Sequence, residues 1–233
     1  MTLKSLAMKY KHAWLLLYYP IYLIWFFYLE KTVVWHFNIV HVELDDMIPF
    51  CEYFIVPYLL WFLYNACGIL VLFYKDVKNY NLLMYYLIIG MTVFLIVSTI
   101  YPNGHYLRPT RFEHNNIFTF LVKNLYATDT ATNLFPSIHV YNSIGIHIAL
   151  MKSNVTNDKK WITIPSFVLM ISIILSTMFL KQHSVFDVVT GLLLAAFVYI
   201  LVYKEVLSSV KNHFVSAHAP KNRAKVRMKN KAK

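Results

Sequence analysis

Long apolar runs alternate with short polar connections along the whole chain, and the runs fall in one length class. They cover residues 13–29, 50–74, 81–100, 134–151, 161–180 and 184–203, each within the span of roughly 17 to 25 residues that lets an α-helix cross a bilayer. The pattern predicts an all-α, polytopic membrane protein with six transmembrane helices. The first run, AWLLLYYPIYLIWFFYL, follows Lys4, Lys9 and Lys11 as a secretion signal would. It continues into EKTVVWHF without a small-residue cleavage pattern, so it is expected to remain as an anchor. No internal repeat or separate soluble domain breaks the series. The longest polar-leaning connection runs from Tyr101 to Asn133 and keeps enough Phe, Leu and Tyr to lie on the membrane surface.

Composition agrees with that picture: 58% of the 233 residues are hydrophobic and only 14% charged, too apolar for an ordinary soluble domain. Charge then supplies an orientation. With the N-terminus inside, residues 1–12, 75–80, 152–160 and 204–233 share one face and hold 17 of the 22 Lys and Arg but 3 of the 11 Asp and Glu. An excess of basic residues marks the cytoplasmic side, so both termini are expected there. Much of the formal charge of +11 lies in the tail KNHFVSAHAPKNRAKVRMKNKAK. The tail has no apolar helical face and is expected to be a disordered orientation signal that meets anionic lipid headgroups. No folded module accompanies it, so a nucleic-acid partner is not expected. Cys51 and Cys67 lie 16 positions apart on one predicted helix, about 24 Å, and cannot bridge. The absence of targeting motifs favours a bacterial plasma membrane over an organelle.

Three short pieces fall on the outer face of this topology although they are far apart in sequence: YLRPT with Arg108, FPSIH with Ser137 and His139, and LKQHSVFDVVTG with Lys181, His183 and Asp187. Pro136 suits the first turn of a helix, and the backbone N–H groups of 137–139 would then form an anion site beside His139. His183 and Asp187, four apart, share a helix face. A carboxylate on one ring nitrogen frees the other to attack or to take a proton. Arg108 offers a planar fork matched to phosphate, and Lys181 a point charge. Taken singly, these features also fit an interfacial histidine, a satisfied polar pair or a headgroup anchor. Together they describe a phosphoryl-transfer site.

The same pieces resemble the type 2 phosphatidic acid phosphatase superfamily, whose motifs are KxxxxxxRP, PSGH and SRxxxxxHxxxD. The order matches, and the third motif keeps its spacing: Ser176 and Thr177, five residues, His183, three residues, Asp187. FPSIH with KQHSVFD is nearest to the branch that includes inositol phosphorylceramide synthases. The resemblance implies that His183 is a nucleophile forming a phosphohistidine, that Asp187 orients it and that His139 protonates the leaving alkoxide. Arg108 and Ser137 would hold the phosphate oxygens of a lipid phosphate, with no metal and no cofactor. The family's lysine falls on Tyr101, its glycine on Ile138 and its arginine on Thr177. Lys181, and Arg111 or Lys123, are the candidate replacements by position.

The expected organisation is therefore helices 1 and 2 over residues 1–80, a phosphatase-like core of helices 3 to 6 over 81–207 with an outward-facing catalytic loop region, and the basic cytoplasmic tail over 208–233. Hydrolysis of a lipid phosphomonoester is the leading reading, and transfer of a phospho-head group to an alcohol the alternative. Two further readings use the same residues differently: a transporter or proton relay built on His139, His183 and Asp187, and a metal site on those three. His147, two turns deeper, is read as a buried hydrogen-bonding residue, and Asp129 and Asn133 as residues that shape the loop before the fourth span. A role for Asp129 in holding a substrate hydroxyl is left open.

Overall fold

The computed structural model describes residues 8–33 and 35–204; the basic tail, and the expectations attached to it, lie outside them. The chain is mostly helical. A 3-10 turn, Lys11–Leu17, leads into α1 (Tyr18–Thr32), and the short α2 (Glu43–Met47) follows. A second 3-10 turn, Glu52–Phe54, opens α3 (Ile55–Lys75), and α4 (Val77–Ile100) returns antiparallel after the single residue Asp76. Then come α5 (Ile117–Thr128), α6 (Ile138–Lys152), α7 (Lys160–Phe179) and α8 (Val185–Tyr199), the last running into a π-helical turn, Ile200–Lys204. Two-residue strands β1 (Asn38–Ile39) and β2 (Asn103–Gly104) pair in parallel and tie the loop after α1 to the loop after α4.

Among the described residues five helical segments are long and apolar enough to cross a membrane: Lys11–Thr32, Glu52–Lys75, Val77–Ile100, Lys160–Phe179 and Val185–Lys204. They make this an integral membrane protein. The fourth predicted span is the exception. The helix there, α6, has 15 residues and reaches only about 22 Å at 1.5 Å per residue, short of a hydrocarbon core about 30 Å thick. Residues 134–137, which the apolar pattern assigned to it, form a non-helical lead-in bent at Phe135 and Pro136 instead.

The short helix occupies the centre. α6 packs against α3, α4, α7 and α8, while α1 lies along α4. At the α4–α6 crossing Tyr86 and Tyr141 stack with ring centroids 4.4 Å apart. Tyr86 fits there because residue 145 is glycine: a Cβ would stand 2.4 Å from its ring. On the outside, Ile24, Phe27, Phe62, Leu63, Ile164, Val168, Leu193 and Phe197 are exposed, an apolar surface suited to lipid. At one end of the bundle Asp76 caps α4 through Asn79 N–H (3.1 Å) and accepts the Ser153 hydroxyl (2.7 Å), closing the α3–α4 turn onto the end of α6. The opposite end carries the polar loops and the candidate site.

Candidate active site

His139 sits in the first turn of α6 and His183 two residues before α8. The structure brings their rings together: His139 Nδ1 lies 3.2 Å from His183 Nε2. Local chemistry sets both positions. Ser137 is the N-cap of α6, its hydroxyl accepting the Val140 N–H at 3.4 Å, and Ser184 is the N-cap of α8, its hydroxyl accepting the Phe186 N–H. Such caps satisfy donors that a helix start leaves free. The Ser137 N–H donates to the Asp187 carbonyl at 3.1 Å, locking one helix start to the other. Gly191 permits that approach, since a Cβ there would meet the Ser137 carbonyl at 2.9 Å. The Thr177 carbonyl accepts the N–H groups of Gln182 and His183 and fixes the turn between α7 and α8.

This corrects the expected anion site in one respect. Ser137 stands outside the helix, and its N–H is already spent on Asp187. Pro136 accordingly precedes the cap rather than opening the helix. Cys51 also lies before α3, not in it, and Cys67 is exposed on the helix; both are free thiols.

Asp187 Oδ2 is 3.4 Å from His183 Nδ1 and accepts the Ser184 N–H at 2.9 Å. On the other side, Tyr58 and Trp61 of α3 pack their rings 4.8 and 4.4 Å from that of His139. The two histidines line one small cavity of about 30 Å³ together with Glu30, Tyr58, Asp129, Asn133 and Gln182, room for one or two water-sized groups. Among the described residues no group of three or more His, Cys, Asp and Glu side chains is placed to hold a metal ion.

The expected cations do not line the cavity. Arg108 Nη1 donates to the carbonyls of Asp129 (2.7 Å) and Tyr126 (3.3 Å), and Nη2 to the Thr130 carbonyl (2.9 Å) and to Gln182 Oε1. Its guanidinium lies over the Tyr126 ring, 4.5 Å from the centroid. Lys181 Nζ donates to the carbonyls of Asp45 and Ile48. Lys123 rests over Phe112 and Arg111 is exposed. His147, deeper on α6, bonds the Ser166 hydroxyl at 3.0 Å, which bonds Tyr64 at 2.7 Å.

Residues 107–211 match the model of the PAP2 superfamily. The match supports the type 2 phosphatidic acid phosphatase superfamily, and with it an enzyme of the phosphatase and phosphotransferase class acting on phosphate esters. Comparison with curated proteins and with solved structures gives no further match. The PAP2 segment contains Arg108, His139, His183 and Asp187. Phe26, Glu30, Tyr58 and Phe94, which complete the cavity, lie before it.

Sequence reasoning passed over Glu30, Tyr58, Gln182 and Asp45. Glu30 is a lone acid at the end of an apolar run, which was a usable signal; Tyr58 and Gln182 carried none. Asp45, 2% exposed, reaches across from α2. Its Oδ1 accepts the Val185 N–H (2.7 Å) and its Oδ2 the Ser184 hydroxyl (2.6 Å).

Among the groups outside the spans with shifted titration, three that titrate in acid lie at or beside the site. Burial, helped by the charge of Arg108, pushes the His183 imidazole down to about 3 from an ordinary 6.5. Burial pushes His105 down to about 4. Burial and the neighbouring Glu30 raise Asp129 from an ordinary 3.8 to about 6. Between pH 6 and 4 the unfolded chain therefore takes up protons at both histidines that the folded protein refuses, while the folded protein holds one at Asp129. The balance is one more proton on the unfolded side, so these groups lower stability by about 1.4 kcal/mol per pH unit on acidification. Above pH 7 they leave it flat. Comparing thermal midpoints of the parent and of His105→Asn in detergent isolates one of these groups: on acidification through this range the parent should lose more stability than the variant.

Proposed function

We propose that the protein is a membrane-embedded phosphoesterase that cleaves a lipid-like phosphate ester at the extracytoplasmic end of its helix bundle, through a covalent intermediate on His183. The observation that carries this reading is the 3.2 Å meeting of two imidazoles from separate helix starts in a lined cavity. With the proton of His183 on Nδ1, which lies 3.4 Å from Asp187 Oδ2 without a formed hydrogen bond, its Nε2 holds a lone pair, and His139 Nδ1–H is the donor between the rings. For a phosphorus centre to enter, the rings must part from this 3.2 Å contact and the cavity of about 30 Å³ must widen; the phosphorus then meets a nucleophile on one side and a proton donor on the other. Nε2 bonds to phosphorus, the ester P–O bond breaks, and the leaving alkoxide takes a proton from His139, which enters this step as the imidazolium and leaves it neutral. Water then gives its proton back to His139 as its oxygen attacks, and the P–N bond breaks.

Burial keeps His183 neutral far into acid, so the nucleophile needs no activation by pH. Gln182 takes part in place of a missing cation. Arg108 has only donors, so Gln182 turns Oε1 toward it, and the amide Nε2, free of any partner among the described residues, is left as a donor for a phosphate oxygen. Arg108 thereby acts through Gln182 and through the carbonyls of the loop that it gathers.

A second reading, transfer of the phospho-group to an alcohol as in the inositol phosphorylceramide synthase-like branch, is favoured by one observation: two carboxylates, Glu30 and Asp129, share the cavity with the histidines. Carboxylates repel a phosphate but accept from hydroxyl groups. Purified protein incubated with a panel of lipid phosphates and phospholipids, with and without alcohols, separates the two by product: free phosphate for hydrolysis, a new ester for transfer. The covalent mechanism predicts inhibition by vanadate and insensitivity to chelators. Activity lost on chelation and restored by a metal would overturn it.

A further inference from the structure

The acceptor-rich wall of the cavity has no use in the cleavage step just described. Glu30 is occupied: Oε2 accepts the Thr130 hydroxyl (2.6 Å) and N–H (3.2 Å), and Oε1 accepts Asn133 Nδ2 (3.1 Å). That last bond orients the Asn133 amide. Its Nδ2 end faces Glu30, and its Oδ1 has no partner among the described residues although Asn133 is 4% exposed and lines the cavity. Asn133 also holds φ = 56°, a left-handed conformation that asparagine tolerates better than most residues. Its place on the wall is therefore built into the loop. Asp129, beside it, has one side-chain bond among the described residues, a long 3.4 Å donation from the Tyr58 hydroxyl. The same Tyr58 ring packs on His139, so Asp129 stands one side chain away from the proposed proton donor.

Resting on the phosphohistidine reading above, we propose that Asp129 and Asn133 form a hydroxyl-binding subsite that selects a polyhydric alcohol on the His139 side of the phosphorus, with Glu30 as the residue that positions Asn133. A buried acceptor without a donor is costly, and a site built to bond a hydroxyl rejects an analogue that lacks it. The alcohol oxygen that leaves or attacks lies at His139. Its neighbouring hydroxyls donate to Asn133 Oδ1 and to the Asp129 carboxylate, while the phosphoryl group stays on the His183 and Gln182 side. In transfer, the acceptor O–H proton passes to His139, the new O–P bond forms and the P–Nε2 bond breaks. Burial holds the Asp129 carboxyl partly protonated near pH 6, so hydroxyl binding strengthens as pH rises through that value.

The test is a partition experiment on the full chain in detergent, with a short-chain phosphatidic acid as donor and glycerol or 1-propanol as acceptor. The ratio of alcohol phosphate to free phosphate reads the fate of the phosphoenzyme and not the speed of its formation. Glycerol is expected to saturate and to outcompete 1-propanol by more than about tenfold. Asp129→Asn, which keeps the Tyr58 contact, and Asn133→Gly, which keeps the left-handed backbone, should each cut the glycerol ratio by about tenfold and leave the propanol ratio unchanged. Equal partition to both alcohols, or variants that partition like the parent, would overturn the subsite while an acid-labile phosphoenzyme still forms. Absence of the phosphoenzyme would instead remove the parent reading, and the subsite with it.

Discussion

His183→Ala abolishes phosphoester turnover, by about ten-thousand-fold or more, because no other group in the cavity can replace a lost covalent nucleophile. The other imidazole, His139, is 3.2 Å away and is aimed at the same point. It cannot take over, since it has no carboxylate fixing its tautomer and stands on the opposite side of the entering phosphorus. Alanine leaves His139 Nδ1–H without its acceptor, so loss of activity alone would not separate chemistry from folding. His183→Gln supplies an acceptor of similar reach. It should restore the thermal midpoint without restoring turnover. Rapid acid or alkaline quench with labelled substrate gives the decisive readout: a base-stable, acid-labile phosphoenzyme in the parent and none in either variant. Label retained in the His183 variants would move the nucleophile elsewhere.

The residues that the sequence made legible are those whose chemistry is local. The HxxxD spacing reads as two residues on one helix face, but His183 lies two residues before α8; the Ser184 cap and the turn before it bring His183 Nδ1 within 3.4 Å of Asp187 Oδ2. Apolar runs report helix existence locally, because burial in lipid needs no partner. Where the reading departed, a tertiary partner decided. α6 is shorter than its apolar run because Ser137 caps it and residues 134–137 are drawn into the loop, with the Leu134 and Phe135 N–H groups both donating to Asn103 Oδ1. Lys181 was read as a phosphate ligand from its charge and position. Its ammonium is taken up by two carbonyls from a segment more than 130 residues earlier, which no local pattern announces. Arg108 shows the same limit. Its planar fork matches a phosphate, but it matches a cluster of carbonyl oxygens equally well.

The cavity itself illustrates why the site was only half visible. Its proposed reacting groups come from α6 and the α7–α8 turn, within the PAP2 match. Its wall comes from Glu30 at the end of α1 and from Tyr58 on α3. In a bundle the helix ends meet in space irrespective of order along the chain, so a lone acid at the end of an apolar run gains meaning only from the loop it grips.

Asp45→Ala should be the most damaging change outside the cavity, lowering stability by about 2–4 kcal/mol and turnover by about a hundred-fold. The carboxylate is 2% exposed and accepts from Ser184 Oγ, Val185 N–H and Val42 N–H. Removing it leaves one buried and two half-buried donors without an acceptor. It also removes a negative charge from the first turn of α8, where the helix dipole favours one. The consequence reaches the chemistry because His183 is strung between two residues that this segment holds: Lys181, bonded to the Asp45 and Ile48 carbonyls, and Ser184, bonded to the Asp45 carboxylate. Loosening both ends lets the imidazole drift, and a misplacement of about 1 Å can cost a hundred-fold in rate. Two measurements distinguish this positioning role from plain destabilisation. Asp45→Asn keeps one acceptor oxygen and should recover most of the thermal midpoint but only part of the rate. In both variants the rate of phosphoenzyme formation should fall while substrate KM changes little, since Asp45 does not line the cavity. A rate that recovers in step with the midpoint would reduce Asp45 to a structural brace.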